Sequence, residues 1–363
     1  MTILTIIAVV LIFGILIFIH ELGHFVTARI FKVGVNEFSL GMGPAIYSKT
    51  SDKSGIKYSL RLLPIGGYVS MVGEDRLEAE DDASCALCKK PAWQRFIVMA
   101  AGATLNIILG IIIMFIIVVG QKNFYGTTVD SFIFQADDGN YYRTYDNSYG
   151  YGLKVGDEIL QIGDEKIRIY NDLNFEIMRV GNEPCDVTVI RNGQRTVIKG
   201  VVFPTITERG VVFADSGFIY PCEIGKNPIT VLQQTVMQTI STVRMIYESL
   251  FDTFSGRYGM AAVSGPVGVV ETVNETVKES ASGYILINIL YIVMVLTINL
   301  GIMNLLPFPA LDGGRIFFIL IELIRGKPVK PEYEGYIHFA GMVVLMLFMI
   351  FITYNDIARI VFS

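Results

Sequence analysis

Residues 15–25 read ILIFIHELGHF, and this stretch decides how the chain is to be interpreted. An apolar run without a charge, residues 1–19, leads directly into His20-Glu21-Leu22-Gly23-His24, an H-E-x-x-H motif. On a helix, residues four apart share one face, so both imidazoles can reach one ion. Glu21 lies close enough to accept a proton from water on that ion. Because such residues are costly in an apolar helix, the stretch predicts a membrane helix with a zinc motif.

The composition also indicates a membrane protein. Hydrophobic residues make up 52% of the 363 residues and charged residues only 17%, whereas soluble domains carry about 25% charged residues. A span needs about 20 residues, and four apolar runs reach that length: residues 1–19, 96–120, part of 281–311, and 336–354. The first run lacks a basic start and a small-residue cleavage site, so we expect a retained helix rather than a signal peptide. The net charge of −5, without a basic tract, argues against nucleic-acid binding.

The distribution of Lys and Arg predicts the orientation in the membrane. Segment 32–93 holds eight of these residues and the short link 325–333 holds three, whereas none precedes the first span. The positive-inside rule therefore places both segments in the cytoplasm. The long segment 121–280 is poor evidence either way, because long domains cross the membrane regardless of charge. Both termini and the segment 121–280 then lie outside, and the H-E-x-x-H motif lies near the cytoplasmic side.

Residues 125–204 predict a small mixed domain between the second and third spans. The β-rich runs 187–190 and 196–198 flank Asn192-Gly193, a strong hairpin signal because both residues tolerate positive φ. Two functions remain open for this domain, a generic β fold that packs its apolar residues inward or peptide recognition by strand addition. Residues 227–251 predict an amphipathic helix, which either packs on this domain or lies on the outer membrane face.

A catalytic zinc usually has three protein ligands, so the two histidines need a partner. Residues 304–314 read NLLPFPALDGG, and the two prolines prevent a regular helix there. Asp312 follows the third span at its cytoplasmic end, where the orientation also places the histidines. We favour Asp312 as the third ligand over the alternative, an N-cap for the next helix. His338, on the fourth span, is expected to be a packing residue.

In order and spacing, these motifs resemble the site-2 protease family of intramembrane zinc metalloproteases. The match is to the bacterial branch with a PDZ domain, that of the regulator of sigma-E protease. The resemblance covers nearly the whole chain and rests on residues 18–25, 63–69, 264–268 and 304–314 and on the PDZ-like middle. It implies a polytopic α-helical membrane protein with four transmembrane helices, a membrane-associated β segment and one extracytoplasmic PDZ-like α+β domain. One departure is Gly102-Ala103, where relatives often have Gly-Pro, which puts the local bend of that helix in doubt.

The resemblance also implies the roles of individual residues. It implies Zn²⁺ as the cofactor, with His20, His24 and Asp312 as metal ligands and Glu21 as the catalytic base. For substrate binding it implies Asn304. It also implies Gly66 and Gly67, because they lie in the region that relatives fold as a membrane-associated β segment. The Cys85–Cys88 pair is absent from the family pattern; we expect two thiols, with zinc or redox chemistry as alternatives. A disulfide between Cys185 and Cys222 remains open.

The expected organisation has seven segments. They are transmembrane helix 1 with H-E-x-x-H (1–31), a cytoplasmic loop with a membrane-reentrant β segment (32–93), transmembrane helix 2 (94–120), the extracytoplasmic PDZ-like domain (121–205), an extracytoplasmic linker with an amphipathic helix (206–280), transmembrane helix 3 with the L-D-G metal-ligand segment (281–324), and transmembrane helix 4 with the C-terminus (325–363).

The expected function is cleavage of peptide bonds within transmembrane segments of single-span membrane proteins, after a first extracytoplasmic cut. The resemblance implies anti-sigma factors and signal-peptide remnants as substrates. It also implies a multi-pass location in the bacterial cytoplasmic membrane, with the lipid bilayer as a partner. Two alternatives are a membrane-anchored zinc protease for unfolded membrane proteins and a noncatalytic PDZ membrane scaffold.

Overall fold

The computed structural model describes residues 3–74, 85–136, 139–208, 211–257, 265–280 and 283–362. The helices are α1 (Ile3–Ile30), α2 (Ala92–Gly120), α3 (Tyr170–Val180), α4 (Pro228–Phe254), α5 (Pro266–Glu279), α6 (Ile285–Leu305), α7 (Asp312–Arg325) and α8 (Pro331–Phe362). The strands are β1 (Val35–Thr50), β2 (Lys57–Met71), β3 (Phe124–Gln135), β4 (Tyr141–Thr144), β5 (Glu158–Ile162), β6 (Glu165–Lys166), β7 (Cys185–Arg191), β8 (Gln194–Val201), β9 (Thr205–Glu208), β10 (Val211–Ala214) and β11 (Ile219–Ile224). The chain forms two compact units, one from residues 1–113 and 264–363 and one from residues 114–263.

Within the described residues, four helices are long and apolar enough to cross a membrane, namely α1, α2, α6 and α8. This confirms the four predicted spans. In the first unit, the helices approach one another through glycines. A Cβ atom on Gly23 of α1 would lie 2.5 Å from the carbonyl oxygen of Ala101 in α2, and one on Gly301 of α6 would lie 2.9 Å from that of Ala103. Helix α2 therefore lies in backbone contact with both α1 and α6.

Strands β1 and β2 form an antiparallel two-stranded sheet that packs against α1. Its register shifts repeatedly, so the ribbon is irregular. Both strands lie within segment 32–93, for which the resemblance implies a β segment. Aromatic rings fix the sheet to the helix, since Phe38 of β1 meets Phe18 and Phe25 of α1 edge to face at 5.9 and 5.3 Å.

The segment between α6 and α7 is a compact turn, as its two prolines predicted. Gly313 and Gly314 allow the start of α7 to fold back on it, since Cβ atoms there would lie 2.0 Å from the Leu306 oxygen and 2.5 Å from the Phe308 oxygen. Ala310 has a φ of 77°, unusual for a residue with a side chain. Its N–H donates to Nδ1 of His338 in α8 at 3.0 Å. His338 therefore holds the turn that leads to Asp312.

The motif at residues 264–268 lies where α5 begins, with Ser264 outside the described residues. The backbone N–H groups of Gly265 and Gly268 donate to Oδ2 of Asp356 in α8, at 3.0 and 2.8 Å. A Cβ on Gly265 would lie 2.5 Å from Cγ2 of Ile352. A buried carboxylate thus satisfies the N-terminal amides of α5.

The main sheet of the second unit has the strand order β11-β3-β5-β7-β8, to which β4 adds beside β3 and β6 beside β5, and β9 and β10 form a separate two-stranded sheet. The predicted hairpin is present, because Asn192 and Gly193 join β7 to β8 with φ values of 52° and 77°. Strand β11 pairs with β3, so the sheet continues beyond residue 205. Cys185 on β7 and Cys222 on β11 are both free thiols. Strands β3 and β5 lie between β11 and β7, which puts the two cysteines roughly 14 Å apart across the sheet. At that separation they do not form a disulfide.

Helix α4 confirms the predicted amphipathic helix, and Asn227 caps it by accepting from the N–H groups of Ile229 and Thr230. Its polar side packs on α3 of the same unit through buried or half-buried charges. Arg244 of α4 lies 2.7 Å from Glu176 of α3. Arg179 of α3 lies 2.7 Å from Asp252 of α4. Helix α4 therefore packs on the middle domain, which was one of its two predicted positions, but it does so through its polar face.

Glu176 has a perturbed environment in this network. Burial, together with the neighbouring carboxylate of Glu248, raises the pKa of Glu176 to about 7, although Arg244 and Arg179 oppose the change. The guanidinium groups of Arg179 and Arg244 lie against the carboxylates of Glu176 and Glu248 and balance their charge, as a bound metal cation would otherwise do. The cluster is therefore an ion-pair network that joins the two helices.

Replacing Arg244 with Met should loosen α4 from α3, because it leaves Glu176 buried with one cation fewer. Breaking one partner of a buried pair costs about 3 kcal/mol, so amide exchange in α4 should become at least roughly tenfold faster. Hydrogen-exchange mass spectrometry on the full chain in detergent measures this. Arg195→Met, at an exposed position on β8, is the matched control and should leave α4 unchanged. Equal exchange in both variants would contradict the assigned network.

Candidate metal centre

Three side chains from two helices converge at one point in the first unit. Nε2 of His20 and Nε2 of His24, both on α1, lie 3.0 and 3.2 Å from Oδ2 of Asp312, the first residue of α7. The two Nε2 atoms lie 3.2 Å apart. Both histidines are buried. The structure therefore brings together the three residues predicted as metal ligands.

The position of Asp312 decides between its two predicted roles. Leu311, not Asp312, is the residue that precedes the first turn of α7, and no side chain caps that helix. The N-cap alternative is therefore wrong. The turn that breaks the chain between α6 and α7 instead delivers the carboxylate to the histidines.

The spacing of the three atoms fits zinc. Ligands at about 2.0–2.2 Å from a tetrahedral ion lie about 3.3 Å from one another. Among the described residues, the buried Oδ2 of Asp312 has no polar partner other than the two imidazole nitrogens. Two imidazole nitrogens and one carboxylate oxygen also form a donor set that zinc accepts. The residues present therefore fit a zinc ion held by three protein ligands.

Two residues of α2 orient the imidazoles. Nδ1 of His24 donates to the backbone oxygen of Val98 at 2.8 Å, which leaves Nε2 as a bare lone pair. Nδ2 of the fully buried Asn106 lies 3.3 Å from Nδ1 of His20. If zinc binds Nε2 of His20, Nδ1 carries the proton, and a rotation of the Asn106 amide by 180° puts Oδ1 where it can accept that proton. In the described structure Oδ1 has no hydrogen bond of its own.

Gly102 of α2 forms the wall behind the two imidazoles. A Cβ atom there would lie 2.4 Å from Nε2 of His24 and 2.8 Å from Nε2 of His20. Any side chain would enter the space that the metal needs. Helix α2 continues without a break through Gly102 and Ala103. The absence of proline at residue 103 thus leaves a regular helix.

Glu21, the predicted base, is half-buried next to strand β2. A Cβ on Gly67 would lie 3.1 Å from Cγ of Glu21 and 3.0 Å from the backbone oxygen of Ser39. The lack of a side chain at Gly67 therefore lets the strand approach Glu21. Gly66 has a φ of 89°, which only glycine adopts readily. The β segment is thus placed beside the predicted base.

The remaining predicted residues lie farther along the chain. Asn304 is half-buried in the last turn of α6, eight residues before Asp312. His338 binds the backbone of Ala310 and is not a member of the described metal-ligand cluster, in agreement with its predicted packing role. Cys85 and Cys88 are free thiols outside the described groups of three or more potential ligands.

The sequence reasoning missed the contribution of α2. Val98, Gly102 and Asn106 all face the histidines, at spacings of four residues. Asn106 carried a signal, because an amide in an apolar span is costly without a partner. Gly102 and Val98 could not be predicted in this way, because their backbone atoms make the contact and a single sequence does not indicate which backbone atoms meet.

Gly102→Ala should reduce zinc binding strongly without unfolding the helix, because alanine favours helices while its methyl group would crowd both Nε2 atoms. The matched control is Gly14→Ala in α1, where a Cβ meets no atom within 4 Å. Zinc content after purification, measured by mass spectrometry, should fall only in Gly102→Ala. Full zinc in both variants would contradict the position assigned to the metal.

Asn106→Leu should weaken zinc binding by about 10–100-fold, the usual cost of losing an outer partner of a metal-binding histidine. Asn106→Asp keeps an acceptor for Nδ1 of His20 and should retain most of the affinity. Competition with a chromogenic chelator measures both. If leucine and aspartate behave alike, Asn106 does not act through His20.

Comparison with known proteins agrees with this geometry. The sequence pattern of Peptidase family M50 matches residues 8–348. A Fusobacterium nucleatum protein named as a zinc metalloprotease is 34% identical over 361 residues, covering 98% of this chain and 99% of that protein. The regulator of sigma-W protease RasP of Bacillus subtilis is 28% identical over 434 residues, with 98% and 99% covered. The zinc metalloprotease RasP of Oceanobacillus iheyensis is 28% identical over 439 residues, again with 98% and 99% covered. The chain therefore belongs to peptidase family M50 and is a zinc metalloprotease with four helices able to cross a membrane.

Proposed function

We propose that the chain is an endopeptidase that cuts peptide bonds inside the transmembrane segments of single-span membrane proteins. The observation that carries the proposal is the location of the His20–His24–Asp312 cluster. Two of its members lie on α1, which is apolar and long enough to cross a membrane, and the third begins the helix after α6, another such helix. A metal centre buried among membrane helices suits a substrate that is itself in the membrane.

In this proposal His20, His24 and Asp312 hold the zinc ion and Glu21 is the catalytic base. When bound, zinc polarises the scissile carbonyl and makes water a nucleophile near neutral pH. Glu21 takes a proton from the attacking water and passes it to the leaving amine, so the bond is hydrolysed without a covalent acyl-enzyme. Val98 and Asn106 keep the two imidazoles oriented during this step.

A transmembrane substrate hides its carbonyls in helical hydrogen bonds, so it must be unwound before it is cut. We propose that the β1–β2 ribbon binds the unwound segment as an added strand. The contact of Gly67 with Glu21 supports this, since a strand beside β2 would pass close to the base. Gly66 and Gly67 would bind the substrate backbone, and Asn304, at the end of α6, would help to hold it.

The proposed substrates are membrane proteins that have already lost their outer domain. The name of the B. subtilis relative, a regulator of sigma-W protease, supports anti-sigma factors as one class. Signal-peptide remnants are the second proposed class. Membership in a peptidase family argues against the noncatalytic scaffold.

The proposed location is the bacterial cytoplasmic membrane. The distribution of Lys and Arg supports extracytoplasmic termini and an active site near the cytoplasmic side. The sheet-containing unit would then lie outside as a PDZ-like size filter. Comparing trimmed with untrimmed substrate in the assay below tests that filter, because equal cleavage of both would exclude it.

Glu21→Gln should abolish cleavage within the span while zinc remains bound, because glutamine cannot accept the proton. The assay uses the full chain in liposomes and a tagged single-span substrate trimmed on its outer side. Product masses locate the cut, and zinc content is measured on the same samples. Glu223→Gln, at an exposed carboxylate on β11, is the charge-matched control and should keep full activity.

The position of the cut separates the proposal from its main alternative. Cleavage only in the loops beside the span, still dependent on Glu21, would indicate a membrane-anchored protease for unfolded proteins. Cleavage inside the span that survives in Glu21→Gln would contradict the role of Glu21.

A further inference from the structure

Helix α7 presents one row of side chains to the rest of the first unit. Its members share one face of the helix, since they lie three or four residues apart: Asp312, Arg315, Ile319 and Glu322. Buried Ile319 packs in an apolar cluster with residues of β2 and α2. Each residue turns a helix by about 100°. The rotation of α7 about its axis therefore decides where the carboxylate of Asp312 points.

Glu322 holds the second half of α7 against α2. The guanidinium group of Arg95, on α2, donates to both carboxylate oxygens of Glu322, at 2.5 and 3.1 Å. Arg95 is buried, and its Nε also donates to the backbone oxygen of Lys90 at 3.1 Å. Such a bidentate pair has a specific geometry. It lies about 15 Å along the helix axis from Asp312, so the first turn of α7 needs a contact of its own.

A closed turn at the end of β2 supplies that contact. The N–H of Glu74 donates to the backbone oxygen of Met71 at 3.3 Å, and the N–H of Met71 donates to Oε2 of Glu74 at 3.2 Å. Gly73, between them, has a φ of 68°, and a Cβ there would lie 2.6 Å from Cβ of Ala86. Because Met71 is a buried residue of β2, the Glu74 carboxylate is fixed to the sheet.

The other carboxylate oxygen of Glu74 binds the first turn of α7. Nη1 of Arg315 donates to Oε1 of Glu74, and both side chains are half-buried. Ion pairs between mobile surface side chains contribute little to stability. Here one partner stands on a closed turn and the other stands three residues after Asp312. The pair therefore constrains the orientation of the helix that carries the predicted third ligand.

We propose that Glu74 and Arg315 are positioning residues, which hold Oδ2 of Asp312 beside the two histidines by fixing the rotation of α7. This role rests on the assignment of Asp312 as a metal ligand. Strand β2, which ends at the Glu74 turn, also carries Gly67 next to Glu21. One strand thus contacts the predicted base and, through a single ion pair, the helix of the third ligand.

Zinc affinity of the full chain in detergent, measured by competition with a chromogenic chelator, tests this role. Glu74→Gln and Arg315→Met should each raise the dissociation constant about tenfold, the lower end of the loss for outer partners of metal ligands. The double variant should lose no more than either single one, because the two residues act through one contact. Arg315→Lys keeps a cation and a donor for Oε1, so it should recover most of the affinity.

Two further variants serve as controls. Arg143→Met removes an ion pair with Asp130 in the second unit and should leave zinc affinity unchanged. Asp312→Ala removes the assigned ligand itself and should weaken zinc binding more than any change in the ion pair. Amide exchange in α2, measured on the same samples, should stay as in the wild type, which separates a loss of orientation from a loss of fold.

Additive losses in the double variant would overturn the proposal, since Glu74 and Arg315 would then act separately. Losses of affinity that are matched by faster exchange in α2 would also overturn it, because the pair would then only stabilise the fold. Unchanged affinity in both single variants, with zinc lost in Asp312→Ala, would refute the positioning role while the metal site stands. Wild-type affinity in Asp312→Ala would instead refute the ligand assignment.

Discussion

Two imidazole nitrogens and one carboxylate oxygen converge within 3.2 Å of one another. Two imidazole lone pairs and a carboxylate oxygen repel each other unless a cation lies among them. In a low-dielectric interior that repulsion is strong, so a zinc ion held by these groups would also stabilise the relative position of the helices that carry them. The need to bring these three groups together accounts for the glycines where the helices of the first unit meet and for the turn between α6 and α7. It also accounts for the position of the β1–β2 ribbon beside α1.

Helix α2 illustrates how the constraint is met. It crosses α1 and α6 at glycines, which brings backbone close to backbone and leaves a flat wall at Gly102. At this wall no side chain crowds Nε2 of either histidine, while the Val98 oxygen accepts from Nδ1 of His24 and the Asn106 amide lies beside Nδ1 of His20. Larger residues at the crossings would separate the helices and move Asp312 away from the histidines. The close packing of small residues is therefore part of the chemistry of the site.

The sequence was sufficient for the parts of the site that follow from local spacing. H-E-x-x-H predicts two ligands and the base on one helix, and the prolines before Asp312 predict the break that brings its carboxylate to the histidines. The contribution of α2 could not be predicted, because Val98 acts through its carbonyl and Gly102 through a missing side chain. The same limit applies to strand β11, whose pairing with β3 lies beyond the expected boundary at residue 205. Such contacts depend on tertiary packing and not on the periodicity of one segment.

Helix α4 shows a different limit of sequence reasoning. Its periodicity predicts a polar side and an apolar side, but it does not say which side faces the protein. In water the apolar side would be expected to turn inward. A chain with membrane spans has a second apolar medium, so burying the charged side against α3 becomes an equally consistent solution. The choice is made by residues far apart in sequence, Glu176 and Arg179 on α3 with Arg244 and Asp252 on α4. Ion pairs that would be ordinary on a soluble surface therefore determine which side of α4 faces α3 and which side stays exposed.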